Sequence, residues 1–454
     1  MLIRSRRDFL RDAVRSVSAL GAFGAMGKFG EMNALAASAN LPYQALVCIY
    51  LGGGNDGHNT VVPITTAQQN YSLYQQGRGA IALPQASLLP IHNGNDTYGL
   101  HPKLAEIAAL YNQAASPVAV VANVGMLVKQ IDRTQYMTNN SAILPNQLFS
   151  HSDQSSQWAT SIPTGLGSTG WGGRIADQLA PMNVGASFPA LASTSGSSLF
   201  ATGAQSFAAT VPAGTSQLLN IGNVARLQGL QQLVTFDNGL QLVQSANSNL
   251  TRGINYAGTL NSALNGVTLA TAFPANNSLA TQLQTVARII KVRAALGLSR
   301  QIFYCSLGGF DTHSGQLATQ DQLLQQLSQA VGAFYQATVD LGIQSAVTTF
   351  TASEFGRTLT PNSGGGTDHA WGSHHFVIGG GVQGGKFYGQ FPDLHLGGPS
   401  DSGNRGALIP TTSVDQYAAT MATWFGVQQP NLAGPNGIFP NLSNFNTTDL
   451  GFMG

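Results

Sequence analysis

Short apolar runs alternate with amphipathic helical stretches along most of this chain, and that alternation restricts its fold more than any other feature. Two parallel strands have to be joined by a long crossover, which is usually a helix. The pattern therefore predicts an α/β fold with a mostly parallel central sheet flanked by helices. The predicted strands lie at 46–51, 117–124, 301–307, 345–351 and 376–380, and the predicted helices at 101–113, 278–298, 316–341 and 413–425.

One long interval departs from this alternation. Residues 185–275 are rich in Ala, Ser, Asn, Gly and Gln and contain almost no acidic side chains. We expect a helical or irregular insertion, or a lid, on one edge of the sheet. No proline-rich or charged linker isolates it, so residues 40–454 are predicted to form a single domain. Its composition would also suit contacts with sugars, so a glycan-associated partner is one hypothesis for its role.

The first 39 residues have the pattern of an export signal. Ser5–Arg11 contains a paired arginine followed by Phe and Leu, and the apolar stretch Val17–Ala37 is diluted by Gly, Lys28 and Glu31. This is typical of a twin-arginine signal peptide. A membrane span needs about 20 nearly uninterrupted apolar residues, so we expect no stable span here. The sequence predicts a periplasmic or secreted protein that meets the twin-arginine (Tat) translocase during export. The alternative is a basic amphipathic helix on a cytoplasmic protein.

Charged side chains are scarce and nearly balanced. They make up 9% of the chain, against about 25% in a typical soluble protein. Beyond the predicted signal peptide, 14 basic and 16 acidic side chains remain, a net charge near −2. This balance provides no electrostatic reason to expect a nucleic acid as a partner.

The chain has two cysteines, Cys48 and Cys305, and both lie in predicted strands. A single disulfide could form in an oxidising compartment if those strands are neighbours. The alternative is a pair of buried free thiols.

Acidic side chains follow three of the predicted strands. Because the carboxyl ends of parallel strands meet at one edge of the sheet, these side chains are expected to gather there together with nearby histidines. Carboxylate and imidazole groups are ligands of divalent cations, so the sequence predicts a metal site. The alternative for each acid taken singly is a turn former or a helix cap. The predicted ligands are Asp56, Asp311, His313, Glu354 and His369.

Several segments combine glycine, acidic and aromatic residues in a distinctive order: LGGGNDGHNTVVP at 51–63, GLHPKL at 99–104, GWGGR at 170–174, GGFDTH at 308–313, SEFGRT at 353–358, DHAWG at 368–372 and SVDQYAATMATWFGV at 413–427. Together with the twin-arginine leader, they resemble the bacterial family called domain of unknown function 1501. That family is similar to the alkaline-phosphatase-like superfamily of phosphatases, sulfatases and phosphoglycerate mutases. The resemblance implies that fold, with one or two divalent metals (Zn, Mn, Ca or Mg) at the strand ends.

The resemblance also implies a role for individual residues. Asp56 would stand in the place of the superfamily's metal aspartate after the first strand. Asp311 and His313 would occupy the place of its Asp…His pair, and His369 would correspond to its final metal histidine. Thr351–Glu354 is similar to its Thr-Ala-Asp-His segment, but Ser-Glu stands here where that segment has Asp-His.

The superfamily's nucleophile lies at the N-terminus of a helix, and here Phe149–Gln154 is similar to that segment. Ser150 is the candidate nucleophile, with His151 as a metal ligand or acid/base. The alternative is that Ser150 or Ser152 only caps the helix. Arg357 is predicted either to contact an anionic substrate or to pair with Glu354.

The resemblance and the predicted site together favour an exported metal-dependent hydrolase or transferase. Its substrate would be a phosphate or sulfate ester, either a small anionic ester or one linked to a glycan. The chain has no C-x-P-x-R or S-x-P-x-R motif, so formylglycine chemistry is not expected. The alternative is a non-catalytic exported binding or structural protein that retains the fold.

Overall fold

The computed structural model describes residues 42–214, 224–237 and 239–454. The predicted signal peptide at 1–39 lies outside the described residues, as does the part of the predicted insertion at 215–223.

A nine-stranded sheet forms the centre of the molecule, and a three-stranded sheet lies beside it. The strands are β1 Gln44–Gly52, β2 Val61–Thr65, β3 Leu89–Asn93, β4 Asp96–Leu100, β5 Val118–Gly125, β6 Leu191–Ser193, β7 Ala209–Thr210, β8 Arg300–Gly308, β9 Val347–Ala352, β10 Ser373–Ile378, β11 Lys386–Tyr388 and β12 Thr412–Ser413. The helices are α1 Gly57–Thr60, α2 Tyr71–Arg78, α3 Ala105–Tyr111, α4 Arg133–Met137, α5 His151–Thr160, α6 Trp171–Gln178, α7 Val224–Leu233, α8 Gln241–Leu264, α9 Ser278–Lys291, α10 Gln316–Asp340 and α11 Val414–Trp424.

The main sheet has the order β11-β5-β10-β9-β1-β8-β6-β7, with β12 also paired to β5. Strand β1 is central and pairs in parallel with both β8 and β9. Strand β10 runs antiparallel to β5 and β9, and the remaining pairs are parallel. The predicted α/β fold with a mostly parallel central sheet is therefore confirmed.

Helices cover both faces of the sheet. Side chains alternate along each strand, so a central strand contributes apolar side chains to both faces. In β1, Val47 and Ile49 belong to one apolar core with α3, α9 and α10. Leu46 and Cys48 point the other way, into a second core with α5, α6 and α11. A strand covered on both faces has few polar positions, and this explains the nearly continuous apolar run of β1 in the sequence.

The same alternation separates the two cysteines. Strands β1 and β8 are neighbours, and Ile49, not Cys48, stands opposite Cys305. Cys48 belongs to one core and Cys305 to the other. Both are buried free thiols, because a disulfide cannot form between side chains on opposite faces of one sheet.

The interval predicted as an insertion contains both strands and helices. Strands β6 and β7 extend the main sheet beyond β8, and helices α7 and α8 follow them in the chain. None of the helices in the described part of the chain combines the length and apolarity that crossing a bilayer requires.

Candidate metal centre

Three histidines and one aspartate meet where the parallel strands β1, β8 and β9 end. Asp311 and His313 lie in the loop that follows β8, and His369 lies in the loop before β10. His151 is the first residue of α5. The strand order brings these distant segments to one edge of the sheet, where ligand sites of open α/β sheets are found.

The atoms that converge are the three Nε2 nitrogens and the carboxylate of Asp311. Oδ1 of Asp311 lies 3.0 Å from Nε2 of His313 and 3.2 Å from Nε2 of His369. Those two nitrogens are 3.0 Å apart. Oδ2 of Asp311 lies 3.5 Å from Nε2 of His151.

The other ring nitrogen of each histidine, Nδ1, contacts an oxygen atom of the protein that fixes the orientation of the ring. Nδ1 of His151 bonds the carboxylate of Glu354 at 2.9 Å, and Nδ1 of His369 bonds the carbonyl oxygen of Phe149 at 2.8 Å. Nδ1 of His313 lies 3.3 Å from the carboxylate of Asp368. When Nδ1–H donates a hydrogen bond to such an acceptor, the proton stays on Nδ1 and Nε2 keeps its lone pair for a metal, which is the usual arrangement of metal-ligating histidines.

The spacing of the converging atoms fits a bound ion. Ligands around a tetrahedral zinc ion, with bonds of about 2.0–2.1 Å, are separated by about 3.3–3.4 Å. The four distances above run from 3.0 to 3.5 Å. Among the described residues, the buried Nε2 of His151 finds no hydrogen-bond partner. His151, Asp311 and His369 can each offer a ligand atom within 4.8 Å of the other two.

The protonation states also suit a cation. Partial burial raises the pKa of Asp311, but the hydrogen bond and charge of Arg357, together with His313 and His369, outweigh it and hold that pKa below its usual value. Burial lowers the pKa of His369, with the charge of Arg357 adding to the effect. An ionised carboxylate and a neutral imidazole are the forms that bind metals.

The cluster is accessible from outside. The side chains of His151, Asp311 and His313 are 37%, 45% and 47% exposed. A structural metal site is closed by its protein ligands, whereas a catalytic site keeps one position open. This arrangement is of the open kind.

Glu354 is predicted from the sequence as a metal ligand, but its carboxylate bonds Nδ1 of His151 instead of lying among the converging atoms. Its side chain is 3% exposed, and its Oε1 accepts hydrogen bonds from Nδ1 of His151 and from the backbone N–H of Gly53 at 2.8 Å. Gly53 has a φ of 119°, and a Cβ there would clash with the backbone nitrogen of Asp311. Only glycine lets the backbone pass between these two acidic residues.

The structure does not bring the carboxylate of Asp56 into the cluster. Its Oδ1 caps α1 by accepting from the backbone N–H groups of His58 and Asn59 at 2.9 and 3.3 Å. Its Oδ2 pairs with the buried guanidinium of Arg78 and accepts from Gln316. For Asp56, the alternative of a helix cap is therefore confirmed, and its assignment among the ligands is corrected, because all of its acceptor capacity is taken by the protein.

Arg357 is fully buried and holds Asp311. Its Nη1 donates to Oδ1 of Asp311 at 2.8 Å and to the carbonyl of Gly53 at 3.2 Å, and its other nitrogens bond Thr367. The salt bridge of Arg357 is with Asp311 and not with Glu354, although the charge of Glu354 also stabilises the guanidinium. Since the guanidinium has no exposed surface, Arg357 is placed to orient Asp311.

Ser150 caps α5, as one of the two sequence interpretations predicted. Its Oγ accepts weakly from the backbone N–H of Asp153 and donates to the carboxylate of Asp153 at 2.6 Å. Its chain neighbours Phe149 and His151 both contact the cluster. Phe149 itself has a φ of 71°, so the backbone at this point is strained.

Two members of the arrangement were missed at the level of sequence. Asp368 orients His313, and the only signal for it was its place beside His369 in the segment DHAWG. The carbonyl of Phe149 has no sequence signal, because any residue could supply it.

His374 and His375 lie in β10, where burial lowers the pKa of each to about 3, so they belong to the core as neutral side chains.

No curated protein matches the chain. Among solved structures, it is similar to the lipoteichoic acid synthase LtaP from Listeria monocytogenes, with 7% identity and a TM-score of 0.34 over 89% of this chain and 79% of that chain. The family model described as "Protein of unknown function (DUF1501)" matches residues 43–402. The chain therefore belongs to the DUF1501 family.

Proposed function

We propose that this protein is an exported, metal-dependent hydrolase or transferase that acts on a phosphate or sulfate ester, on an alkaline-phosphatase-like fold. The observation that carries the proposal is the convergence of His151, Asp311 and His369 at an open edge of the sheet, with Nε2 of His313 beside the same carboxylate. The predicted signal peptide at 1–39 and the sequence resemblance described above support export and the superfamily.

The donor set favours zinc among the divalent ions. Imidazole suits zinc and other transition metals, whereas magnesium and calcium prefer oxygen ligands. Here imidazole nitrogens outnumber carboxylate groups among the converging atoms. A bound ion of this kind supplies Lewis-acid activation of the ester oxygen.

Side chains of the protein would hold the ion, attack the ester and accept the proton. His151, Asp311, His313 and His369 would hold the ion. Ser150, between two residues that contact the cluster, would attack the phosphorus or sulfur atom in line. Its proton would pass to Asp153, whose Oδ2 lies 2.6 Å from Oγ. The ester bond to the leaving oxygen would break as the bond from Oγ forms, and Asp153 would give its proton to that leaving oxygen. Water, or the hydroxyl of an acceptor, would then attack the phosphorus or sulfur atom held on Ser150. Its proton would return to Oγ through Asp153, and the phosphate, sulfate or new ester would leave.

An exposed arginine is better placed than Arg357 to meet an anionic substrate. Arg405 pairs with Asp368, and its side chain is 45% exposed. Asp368 in turn contacts His313, so Arg405 lies at the rim of the cluster. We assign to Arg405 the contact with the non-bridging ester oxygens.

A second candidate is a metal-binding protein without catalysis. The observation that favours it is the hydroxyl of Ser150, which is engaged by Asp153 in a helix cap. A capping serine serves structure alone unless a substrate displaces that contact.

Metal analysis of the purified protein, paired with hydrolysis of p-nitrophenyl phosphate and p-nitrophenyl sulfate, tests the proposal. We expect a stoichiometric divalent ion, and ester hydrolysis that EDTA abolishes and Zn²⁺ restores. Bound metal without turnover would favour the non-catalytic candidate. A protein that takes up no divalent ion even after incubation with Zn²⁺ would overturn both.

Two substitutions of Ser150 separate the nucleophile from the cap. Ser150→Asn keeps a capping side chain, so the free energy of unfolding should change little, whereas Ser150→Ala should lose about 0.5–2 kcal/mol. If Ser150 is the nucleophile, both variants should lose at least about 10³-fold in kcat on the ester substrate. Chemical denaturation and steady-state kinetics provide the two readouts. Full activity in Ser150→Asn would contradict the nucleophilic role.

A further inference from the structure

A cavity of about 310 Å³ lies near the candidate metal centre, between α5, β1, β8 and the turn at Leu199–Ala201. Its volume is at the lower end of the range of about 300–1,000 Å³ that is typical of small-molecule sites. Four aromatic side chains form much of its wall: Tyr50, Trp158, Phe200 and Tyr304. Their rings are mutually packed, with centroids 5.9–6.3 Å apart.

Hydroxyl groups form the rest of the polar lining, and none of the described residues that line the cavity is charged. The serines are Ser155, Ser156, Ser197 and Ser198. Burial raises the pKa of Tyr50, with the charge of Glu354 adding to it, and burial also raises the pKa of Tyr304. Both phenols therefore stay neutral. An uncharged lining does not compensate the desolvation of an ion, so the cavity suits a neutral group.

Helix α5 links the cavity to the cluster. α5 begins with the cluster residue His151 and contributes Ser155 to the wall one turn later, about 6 Å along the helix axis. The hydroxyl of Tyr50 bonds Oγ of Ser155 at 2.7 Å. A molecule in the cavity thus lies within the length of a small substrate from the converging ligand atoms.

One buried polar group in the wall has no partner. Trp158 is 2% exposed, and its indole N–H makes no hydrogen bond in the described part of the chain. A buried donor without an acceptor costs about 1–3 kcal/mol. The indole nitrogen has almost no accessible surface, so it is the ring of Trp158, and not its N–H, that faces the cavity.

We propose that this cavity binds the neutral sugar ring of the substrate, so that the ester acted on at the cluster is a phosphorylated or sulfated glycoside. A pyranose has apolar C–H faces that pack on aromatic rings and a rim of hydroxyls that are both donors and acceptors. The serines and tyrosines offer the same dual capacity in return. This inference rests on the proposed function, because it names the substrate class of the same site.

Binding of neutral methyl glycosides to the purified protein, followed by saturation-transfer NMR, tests the cavity without any need for turnover. We expect methyl glucoside or methyl galactoside to bind the wild type. Ser156→Tyr, which fills the cavity, and Tyr304→Leu, which removes a ring, should weaken binding at least tenfold. The matched control Ser72→Tyr, at an exposed position of α2, should bind as the wild type does. Metal content should be the same in all four proteins.

The outcomes distinguish this inference from the proposed function. Bound metal with no glycoside binding would overturn the cavity's role and leave the proposed function standing. Glycoside binding that the cavity variants abolish, in a protein that takes up no metal, would support the cavity and overturn the proposed function. Cyclohexanol binding as tightly as the glycosides would also overturn the inference, since the cavity would then select only for an apolar ring.

Discussion

Replacing Asp56 by alanine is expected to lower the free energy of unfolding by about 3–5 kcal/mol, the usual cost of breaking a buried ion pair. Arg78 and Asp56 are both buried, at 0% and 2% exposure, so the substitution leaves a guanidinium charge without its counter-ion. It also removes the cap of α1. The stability of a typical domain is about 5–15 kcal/mol, so this single change consumes a large part of it. Urea denaturation provides the measurement.

The matched control is Asp132→Ala. Asp132 also caps a short helix, α4, through the backbone N–H of Gln135 at 2.7 Å, but it is exposed. It should cost only about 0.5–2 kcal/mol. The double variant Asp56→Ala/Arg78→Met should lose less than the sum of its single variants, because methionine leaves no buried charge. Equal costs for Asp56→Ala and Asp132→Ala would mean that the buried pair adds nothing beyond the cap.

Asp311→Asn is expected to weaken Zn²⁺ binding by more than about 100-fold, beyond the range of about 10–100-fold for residues that only orient a ligand. The carboxylate of Asp311 faces all three histidine Nε2 atoms, so its charge is the largest that the protein offers the ion. Neutralising it also leaves Arg357 at the site without its partner. Competition with a chromophoric chelator measures the affinity.

Graded controls make this result specific. Glu354→Gln and Asp368→Asn change groups that orient His151 and His313, and each should cost about 10–100-fold. Asp321→Asn changes a partly exposed acid that lies outside the cluster, 3.3 Å from Nε2 of His101, and should leave the affinity unchanged. If all four variants bind Zn²⁺ alike, the converging side chains do not form a metal site.

The elements nearest the candidate site were predictable from local pattern. The run predicted at 301–307 is β8, Arg300–Gly308, and the helix predicted at 316–341 is α10, Gln316–Asp340. Helix α9 was predicted to continue to residue 298 but ends at Lys291. Its apolar spacing continues into turns that pack on the same core, so hydrophobic periodicity alone does not mark where a helix stops.

The site was predictable as a neighbourhood but not as a set of contacts. Acids that follow parallel strands must reach one edge of the sheet, and Asp311, His313 and His369 do lie together there. Which atom faces which partner depends on side chains that are distant in sequence. Arg78 forms an ion pair with Asp56, and Arg357 forms one with Asp311 instead of with Glu354.

By itself, the sequence determined five strands of the main sheet, four of the helices that cover it, and the edge of the sheet where the polar residues gather, because these follow from periodicity and the direction of the chain. Only the tertiary structure decided that Asp56 stabilises the fold, that Glu354 orients His151, and that an aromatic cavity opens near the cluster. The physical reason is that a buried charge takes whichever partner packing brings within reach, and no local pattern in the chain encodes that partner.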